Sequence, residues 1–400
     1  MPLIKYATKM SARSACTINL FNILDIAILE ITTEGHCLYN LGELSNLFIK
    51  DIKPNYYIYS VKEINIALGD YSNIFELIKL IQKDGFNKIV IIESSLVSVL
   101  GIDLEKIRNE IVNQYNIETY IINFKLNGTH EEGITNYYNF YKNFLIKQNN
   151  ISEGYSLLGD SYSYLNLKKH QEIEDFLFKN YNLKCIFSST NIINSSDINN
   201  ILNSKFIIVT SSEAIPLAKY IKEKYNIEYF YFPLLGLMSI NELINSLNSS
   251  FNYNLFPYKD DIYLSKINEF KNIIEYNKNI KKVAHLSLTN AIKLDKFFKE
   301  IELNNYEIYT DSNNPKFNNI SLDQYIDKYK NKKVISISNE IVSKYIKYNI
   351  EFEYLGLNYR MLTPLINPYI LINGVYSLIS EISKIIFNNF WVAHIKDVAL

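Results

Sequence analysis

Cysteine and histidine side chains are the residues of this chain with the clearest capacity for chemistry. The 400 residues include three Cys and five His, and thiolates and imidazoles are ligands that transition metals prefer. Three cysteines are too few for a disulfide framework and fit a reducing compartment. No paired C-x-x-C motif, zincin helix, nucleophile elbow or P-loop occurs in the sequence. Taken alone, Cys16 and Cys37 are most simply small buried thiols, and Cys185, in a predicted strand, packs in a core.

The histidines offer candidates of unequal weight. His36 adjoins Cys37 and is either a ligand or proton donor or an ordinary loop histidine. His285 stands where a predicted strand should end, the side on which α/β sites form, although a lone histidine there favours a structural role. His130 precedes two glutamates, a pattern that could bind a metal but that favours a solvated turn. We expect His170 and His394 at the surface, without companions.

Alternating strands and helices must position these residues. Short, nearly continuous apolar runs are typical of parallel strands buried on both faces, and helical periodicity between them indicates crossover helices. The predicted strands are 88–92, 119–123, 155–158, 184–187, 206–209, 228–232, 282–286, 306–309 and 333–337. The clearest predicted helices are 103–115, 173–181, 214–225 and 291–303.

The alternation restarts twice, after the polar stretch 148–154 and after the Asn/Lys-rich stretch 275–282. We therefore predict an α/β fold of three successive doubly wound, Rossmann-like domains. Their ranges are 1–150, 151–272 and 273–400. The last helical segment, 374–390, is expected to pack back on an earlier domain.

Composition excludes several classes of protein. The formal charge of -1 does not indicate a net basic surface for nucleic acid. Only 12 glycines argue against glycine-rich phosphate loops. The amino terminus carries no signal-peptide pattern, and no apolar stretch is long enough to cross a bilayer. We expect a cytoplasmic protein without a membrane or nucleic-acid partner.

The collinear order of several segments resembles nitrogenase component 1. That family includes the α and β subunits of nitrogenase, cofactor-assembly scaffolds and nitrogenase-like reductases of tetrapyrrole biosynthesis. Early segments that carry the resemblance are 14–16, 26–37, 65–70, 91–103 and 124–133. Later ones are 214–229, Phe232-Pro233 with Gly236, 281–284 with the helix from Ala291, and Ile350, Arg360, Pro364 and Asn373-Gly374.

This resemblance implies an iron–sulfur cluster, which normally needs four thiolates. Cys16 and Cys37 match the first two cluster cysteines. The third position reads Ser94, or Ser95 if the register slips by one. Two thiolates cannot close a four-iron cluster, so a 4Fe-4S or related cluster would lie at a subunit interface. A second copy or a sister subunit would supply the remainder, or Glu34, His36 or Ser94 would complete the set.

The resemblance also implies a function. The chain is expected to be a component-1-like subunit of a two-component, ATP-driven reductase, which receives electrons from a separate P-loop iron–sulfur ATPase. No equivalent of the cysteine that holds the iron–molybdenum cofactor is found, which argues against nitrogen reduction. Arg360 is either a substrate-carboxylate partner or part of a structural ion pair, and the latter is favoured.

Two alternatives stay open at this point. One is a non-catalytic scaffold or cofactor-assembly subunit that has lost cluster ligands, which Ser94 at the third position favours. The other is a metal-chelate binding protein built on similar lobes. The sequence identifies neither a substrate nor a catalytic residue.

Overall fold

Parallel β-sheets with helices between their strands organise the part of the chain that a computed structural model describes. The described residues are 11–32, 55–124, 128–147, 152–160, 164–310, 315–338, 345–351 and 371–386. Within them, every strand pairing whose register is resolved is parallel. This architecture confirms the predicted α/β class.

The first sheet has the strand order β2-β1-β3-β4. Its strands are β1 (Ala27–Thr32), β2 (Tyr56–Ser60), β3 (Lys88–Ile92) and β4 (Glu118–Ile122). The central strand β1 is buried along its whole length, because helices cover both faces of a parallel sheet. The helices of this region are α1 (Ala12–Leu20), α2 (Glu63–Leu68), α3 (Ile74–Lys83), α4 (Ser95–Leu100), α5 (Leu104–Tyr115) and α6 (His130–Phe140).

The second sheet has the order β6-β5-β7-β8. Its strands are β5 (Tyr155–Leu158), β6 (Cys185–Ser188), β7 (Phe206–Val209) and β8 (Glu228–Tyr231). Helix α7 (Tyr164–Tyr181) connects β5 to β6, and α8 (Ile215–Tyr225) connects β7 to β8. In this sheet β6, the next strand along the chain, lies on one side of β5, and β7 lies on the other side of β5. The carboxyl end of β5 is therefore a topological switch point, where α/β proteins bind ligands.

The third sheet has the order β11-β10-β9-β12-β13. Its strands are β9 (Lys281–His285), β10 (Tyr306–Thr310), β11 (Asn318–Asn319), β12 (Val334–Ser338) and β13 (Asn349–Glu351). The helices of this region are α9 (Gly236–Phe251), α10 (Asp261–Tyr276), α11 (Leu288–Glu300), α12 (Leu322–Tyr329) and α13 (Leu371–Ile385). Helix α13 packs against α9 and α10.

The described residues fall into two compact units. The first extends to Val209 and adds Glu213–Tyr229, and the second holds Thr210–Ser212 and the chain from Phe230 onward. Each of the three predicted domain ranges contains one sheet. The strands β1–β7, which belong to the first two of those ranges, nevertheless lie in one compact unit. The boundaries near residues 150 and 272 stay predictions. Among the described helices, none is long and apolar enough to span a bilayer.

Lys282 is a buried cation at the start of β9, and it allows a test of this core. Its side chain has no exposed surface, and its ammonium group donates to the carbonyl oxygen of Asn277 at 3.2 Å. Burial lowers the pKa of Lys282 to about 8, because the charged form loses its hydration. We expect Lys282→Met to raise the free energy of unfolding at pH 7 by about 2–3 kcal/mol.

The pH dependence gives the sign of this effect. The unfolded chain keeps its proton on Lys282 up to an ordinary pKa of 10.5, so between pH 8 and 10.5 it binds more protons than the folded chain. The free energy of unfolding of the wild type should therefore rise with pH over that range. The free energy of unfolding of Lys282→Met should lack this rise. Denaturant titrations at pH 7 and 9.5 measure it. Lys278→Met, at an exposed lysine, is the control and should change stability by less than about 0.5 kcal/mol. A less stable Lys282→Met protein would contradict the argument.

Candidate functional site

Cys16 lies inside the protein rather than at its surface. It belongs to α1, whose first turn is capped by the Ser11 hydroxyl, which accepts from the Ser14 N–H at 3.2 Å. The Cys16 side chain has no exposed surface. Burial raises the pKa of its thiol well above the ordinary value, since a thiolate would lose its hydration. In this conformation Cys16 is a neutral, protonated thiol.

Ser94 occupies the junction between two strands and a helix. It follows β3 and caps α4, where its hydroxyl accepts from the Val97 N–H at 3.4 Å. The same hydroxyl donates to the carbonyl oxygen of Ile31 on β1 at 2.6 Å. Ser94 is buried, so both bonds satisfy groups that water does not reach. Its role in the described structure is to tie α4 to the carboxyl end of β1.

The remaining predicted ligands lie beyond the described ranges. Cys37, Glu34 and His36 come after β1, which ends at Thr32, and they lie outside the described residues. Arg360 and His394 also lie outside them. The predicted meeting of Cys16, Cys37 and Ser94 stays a prediction. Among the residues that the structure does describe, no group of three or more His, Cys, Asp or Glu side chains could hold a metal ion.

The structure describes the surroundings of three further candidates, His130, His285 and Cys185. His130 is buried and is the first residue of α6, whose N-cap Thr129 forms a capping box with Glu132. The expectation of a solvated turn was therefore wrong. His285 contacts the carbonyl oxygen of Ile320 through Nε2 at 2.9 Å, in keeping with a structural role. Cys185 lies on β6, and its thiol donates to the carbonyl oxygen of Phe187 at 3.3 Å.

His170 is the largest departure from the sequence-based expectations. It was expected at the surface without companions, but its side chain has no exposed surface and two polar neighbours. Nε2 lies 3.3 Å from Oδ2 of Asp160, and Nδ1 lies 2.9 Å from the hydroxyl of Ser188. Lys169, also buried, donates to Oδ1 of Asp160 at 2.8 Å. Asp160, Lys169, His170 and Ser188 form what we call the buried polar cluster.

Asp160 is held in an unusual backbone conformation at the end of β5. Gly159 has φ 134° and Asp160 has φ 62°, so two consecutive residues adopt positive φ. The Tyr138 hydroxyl on α6 donates to the Asp160 carbonyl oxygen at 2.7 Å and accepts from the Gly159 N–H at 3.1 Å. Non-glycine residues with positive φ are uncommon and concentrate at functional sites. The polar cluster therefore lies where both topology and backbone geometry favour a binding site.

Tyrosines of α6 connect this strand end to the helix that carries Cys16. Tyr137 donates to Oδ1 of Asn22 at 3.0 Å, and Tyr138 is 3.1 Å from the Ser189 hydroxyl beside β6. Asn22, which follows α1, donates to the Ser189 carbonyl oxygen at 3.0 Å. Burial raises the pKa of Tyr138 well above its ordinary value, so its hydroxyl remains a neutral donor.

Sequence reasoning missed the polar cluster, although one signal was present. Asp160 stands two residues beyond an apolar strand, a position where side chains reach the carboxyl edge of a parallel sheet. His170 and Lys169 lie on α7 nearer its start than the range predicted as helical. Because both side chains are polar, the sequence did not indicate that they belong to the buried face of α7.

Comparisons with known proteins identify a family by its sequence model and a shared fold among solved structures. The family model of nitrogenase component 1 type oxidoreductases matches residues 11–347. The solved structure of nitrogenase Cp1 at pH 6.5 aligns with a TM-score of 0.73 at 16% identity, over 97% of this chain and 95% of that one. Nitrogenase Cp1 at pH 5 aligns with a TM-score of 0.63 at 14% identity, over 98% and 90%. At these identities the two structures show a shared fold. No curated protein matches significantly in sequence.

Proposed function

The chain belongs to the family of nitrogenase component 1 type oxidoreductases, as its segment order predicted, and we propose that it is the electron-accepting subunit of a two-component, ATP-driven iron–sulfur reductase. The observation that carries this proposal is the extent of the likeness: the fold aligns with nearly the whole of a nitrogenase chain. The sequence has no P-loop, so ATP hydrolysis would reside in a separate iron–sulfur ATPase that supplies the electrons.

The donor chemistry of the two amino-terminal cysteines suits an iron–sulfur cluster. Cys16 and Cys37 supply soft sulfur ligands, and they are the residues that would hold it. Because the described structure buries Cys16, α1 would have to shift to bring its thiol to a surface shared with a second subunit. When bound, the cluster would supply the group that accepts electrons. The neutral thiol of Cys16 would lose its proton on coordination, because metal binding displaces ligand protons. Ser94 already bonds Ile31 and Val97, so the other ligands would come from a second copy, from a sister subunit, or from Glu34 and His36.

Anaerobic iron and sulfide analysis of the co-expressed assembly tests this proposal. We expect a brown protein whose iron falls below about a tenth of the wild-type content in Cys16→Ala/Cys37→Ala, since a cluster lacking half its thiolates is not retained. Cys185→Ala is the matched control, because Cys185 lies on β6 and does not match a cluster cysteine of the family, and it should keep its iron. A colourless, iron-free wild-type assembly would refute the proposal.

A non-catalytic scaffold is the second candidate function, and Ser94 is the observation that favours it. A hydroxyl that joins a strand to a helix cap replaces a third cysteine, so one ligand position of the family pattern serves structure here. If the chain is a scaffold, the assembly should still form and should keep its activity when both cysteines are substituted. The double cysteine variant therefore separates the two candidates in a single preparation.

A further inference from the structure

Two asparagines of α9 hold the chain segment that follows this helix. Nδ2 of Asn248 donates to the Leu255 carbonyl oxygen at 2.8 Å, and its Oδ1 accepts from the Leu255 N–H at 2.9 Å. Asn241 binds both backbone groups of Tyr258 in the same way, at 3.1 and 2.7 Å. The two asparagines stand two turns apart, about 10 Å along the helix axis, and three residues of extended chain span about the same distance. The segment therefore runs back along α9 in an extended form, fixed at two points.

This fixed segment presents an aromatic side chain to the solvent. Phe256 lies between the two held residues and is 84% exposed. The next residue, Pro257, is also exposed and restricts the backbone of Phe256 to extended conformations. Ile262, in the first turn of α10, adds a further exposed apolar side chain. An aromatic ring on a rigid support loses little conformational entropy on binding, and such rings are common anchors of protein interfaces.

Two side chains of opposite charge follow the exposed ring along the chain. Lys259 and Asp261 are both exposed, and within the described part of the chain neither forms an ion pair. A partner surface of a single charge sign would satisfy only one of them. A second copy of this chain satisfies both, because a two-fold axis places Lys259 of each copy opposite Asp261 of the other. The formal charge of the chain is only -1, so repulsion between two copies is small.

We propose that Phe256, Pro257, Lys259, Asp261 and Ile262, which we call the Phe256 surface, bind the same surface of a second copy of this chain. Phe256 is the central anchor, and Lys259 and Asp261 form two symmetry-related ion pairs at the rim. The apolar part comprises few side chains, so the association is reversible rather than obligate. The inference goes beyond the proposed function, which depends on the cysteines and not on this surface.

Sedimentation analysis of the full chain, under reducing conditions and across the micromolar concentration range, tests the proposal. We expect a monomer–dimer equilibrium. Phe256→Ser should raise its dissociation constant at least about tenfold, because truncation of a central aromatic anchor commonly has effects of that size or larger. Phe178→Ser is the matched control, because Phe178 on α7 is also an exposed phenylalanine. It should leave the dissociation constant within about twofold of the wild-type value.

Charge-reversal variants identify the occupant of the surface. Lys259→Asp and Asp261→Lys each place like charges opposite one another twice in the dimer, so each should raise the dissociation constant at least about threefold. The double variant Lys259→Asp/Asp261→Lys restores opposite charges and should return the dissociation constant to within about twofold of the wild-type value. Thermal unfolding of all variants should match the wild type, because the replaced side chains are exposed.

Several outcomes would overturn the proposal. They are a wild-type chain that stays monomeric throughout, a dimer unaffected by Phe256→Ser, and a double charge reversal no better than the single ones. A monomeric chain that binds a co-expressed sister subunit through Phe256 would overturn it too, because the occupant would then be a different protein. Failure of the proposed function is detected separately, by an iron-free wild-type assembly, and Phe256→Ser should keep the wild-type iron content.

Discussion

Replacing Asp160 with asparagine is expected to lower the free energy of unfolding by about 3–5 kcal/mol, the usual cost of removing one member of a buried ion pair. The variant leaves the buried ammonium group of Lys169 without the carboxylate to which it donates at 2.8 Å. Asparagine tolerates positive φ, so the φ of 62° at this position should persist. Urea titration at pH 7 measures the loss.

A thermodynamic cycle shows whether charge causes this effect. Lys169→Met combined with Asp160→Asn removes both charges, and we expect it to recover at least about 1.5 kcal/mol of the single-variant loss through coupling between neighbours. Glu76→Gln is the matched control, because Glu76 pairs with Lys79 on an exposed helix face. It should cost less than about 0.5 kcal/mol. An Asp160→Asn protein as stable as wild type would show that the buried pair contributes nothing.

Gly133→Ala is expected to destabilise the protein by about 2–3 kcal/mol through overpacking. A Cβ atom at Gly133 on α6 would lie 2.8 Å from Cα of Ala12 on α1 and closer still to the Ala12 carbonyl. The clash involves backbone, so no side-chain rotation relieves it, and α1 must move away from α6. Because α1 carries Cys16, we also expect the buried thiol to react faster with a thiol reagent under native conditions.

Thr135→Ala, two residues further along α6, is the control. It adds no atoms and places a good helix former in the helix, so stability and thiol reactivity should stay near the wild-type values. Thermal unfolding and the rate of thiol modification measure the two effects in the same samples. Unchanged thiol reactivity in Gly133→Ala would mean that the α1–α6 contact does not control access to Cys16.

Much of the fold could be predicted because buried parallel strands have a simple sequence pattern. The apolar runs at 88–92, 155–158 and 206–209 coincide with β3, β5 and β7. Two elements show where this pattern is insufficient. The strand β2 is half-buried along most of its length, so its tyrosine-rich sequence lacks the continuous apolar character of a central strand. Helix α7 begins at Tyr164, well before the predicted start at residue 173, because charged residues interrupt its apolar spacing.

The amino-acid order was enough to establish the α/β class and the family, since apolar runs, helical spacing and segment order are properties read along one dimension. It could not establish that His170 meets Asp160 and Ser188. Those three residues come together only through the β6-β5-β7-β8 order and the turn at Gly159. A contact between strand ends depends on which strands are neighbours in the sheet, and spacing along the chain carries no such information. For the same reason only the tertiary structure shows that α1, which carries Cys16, packs against α6.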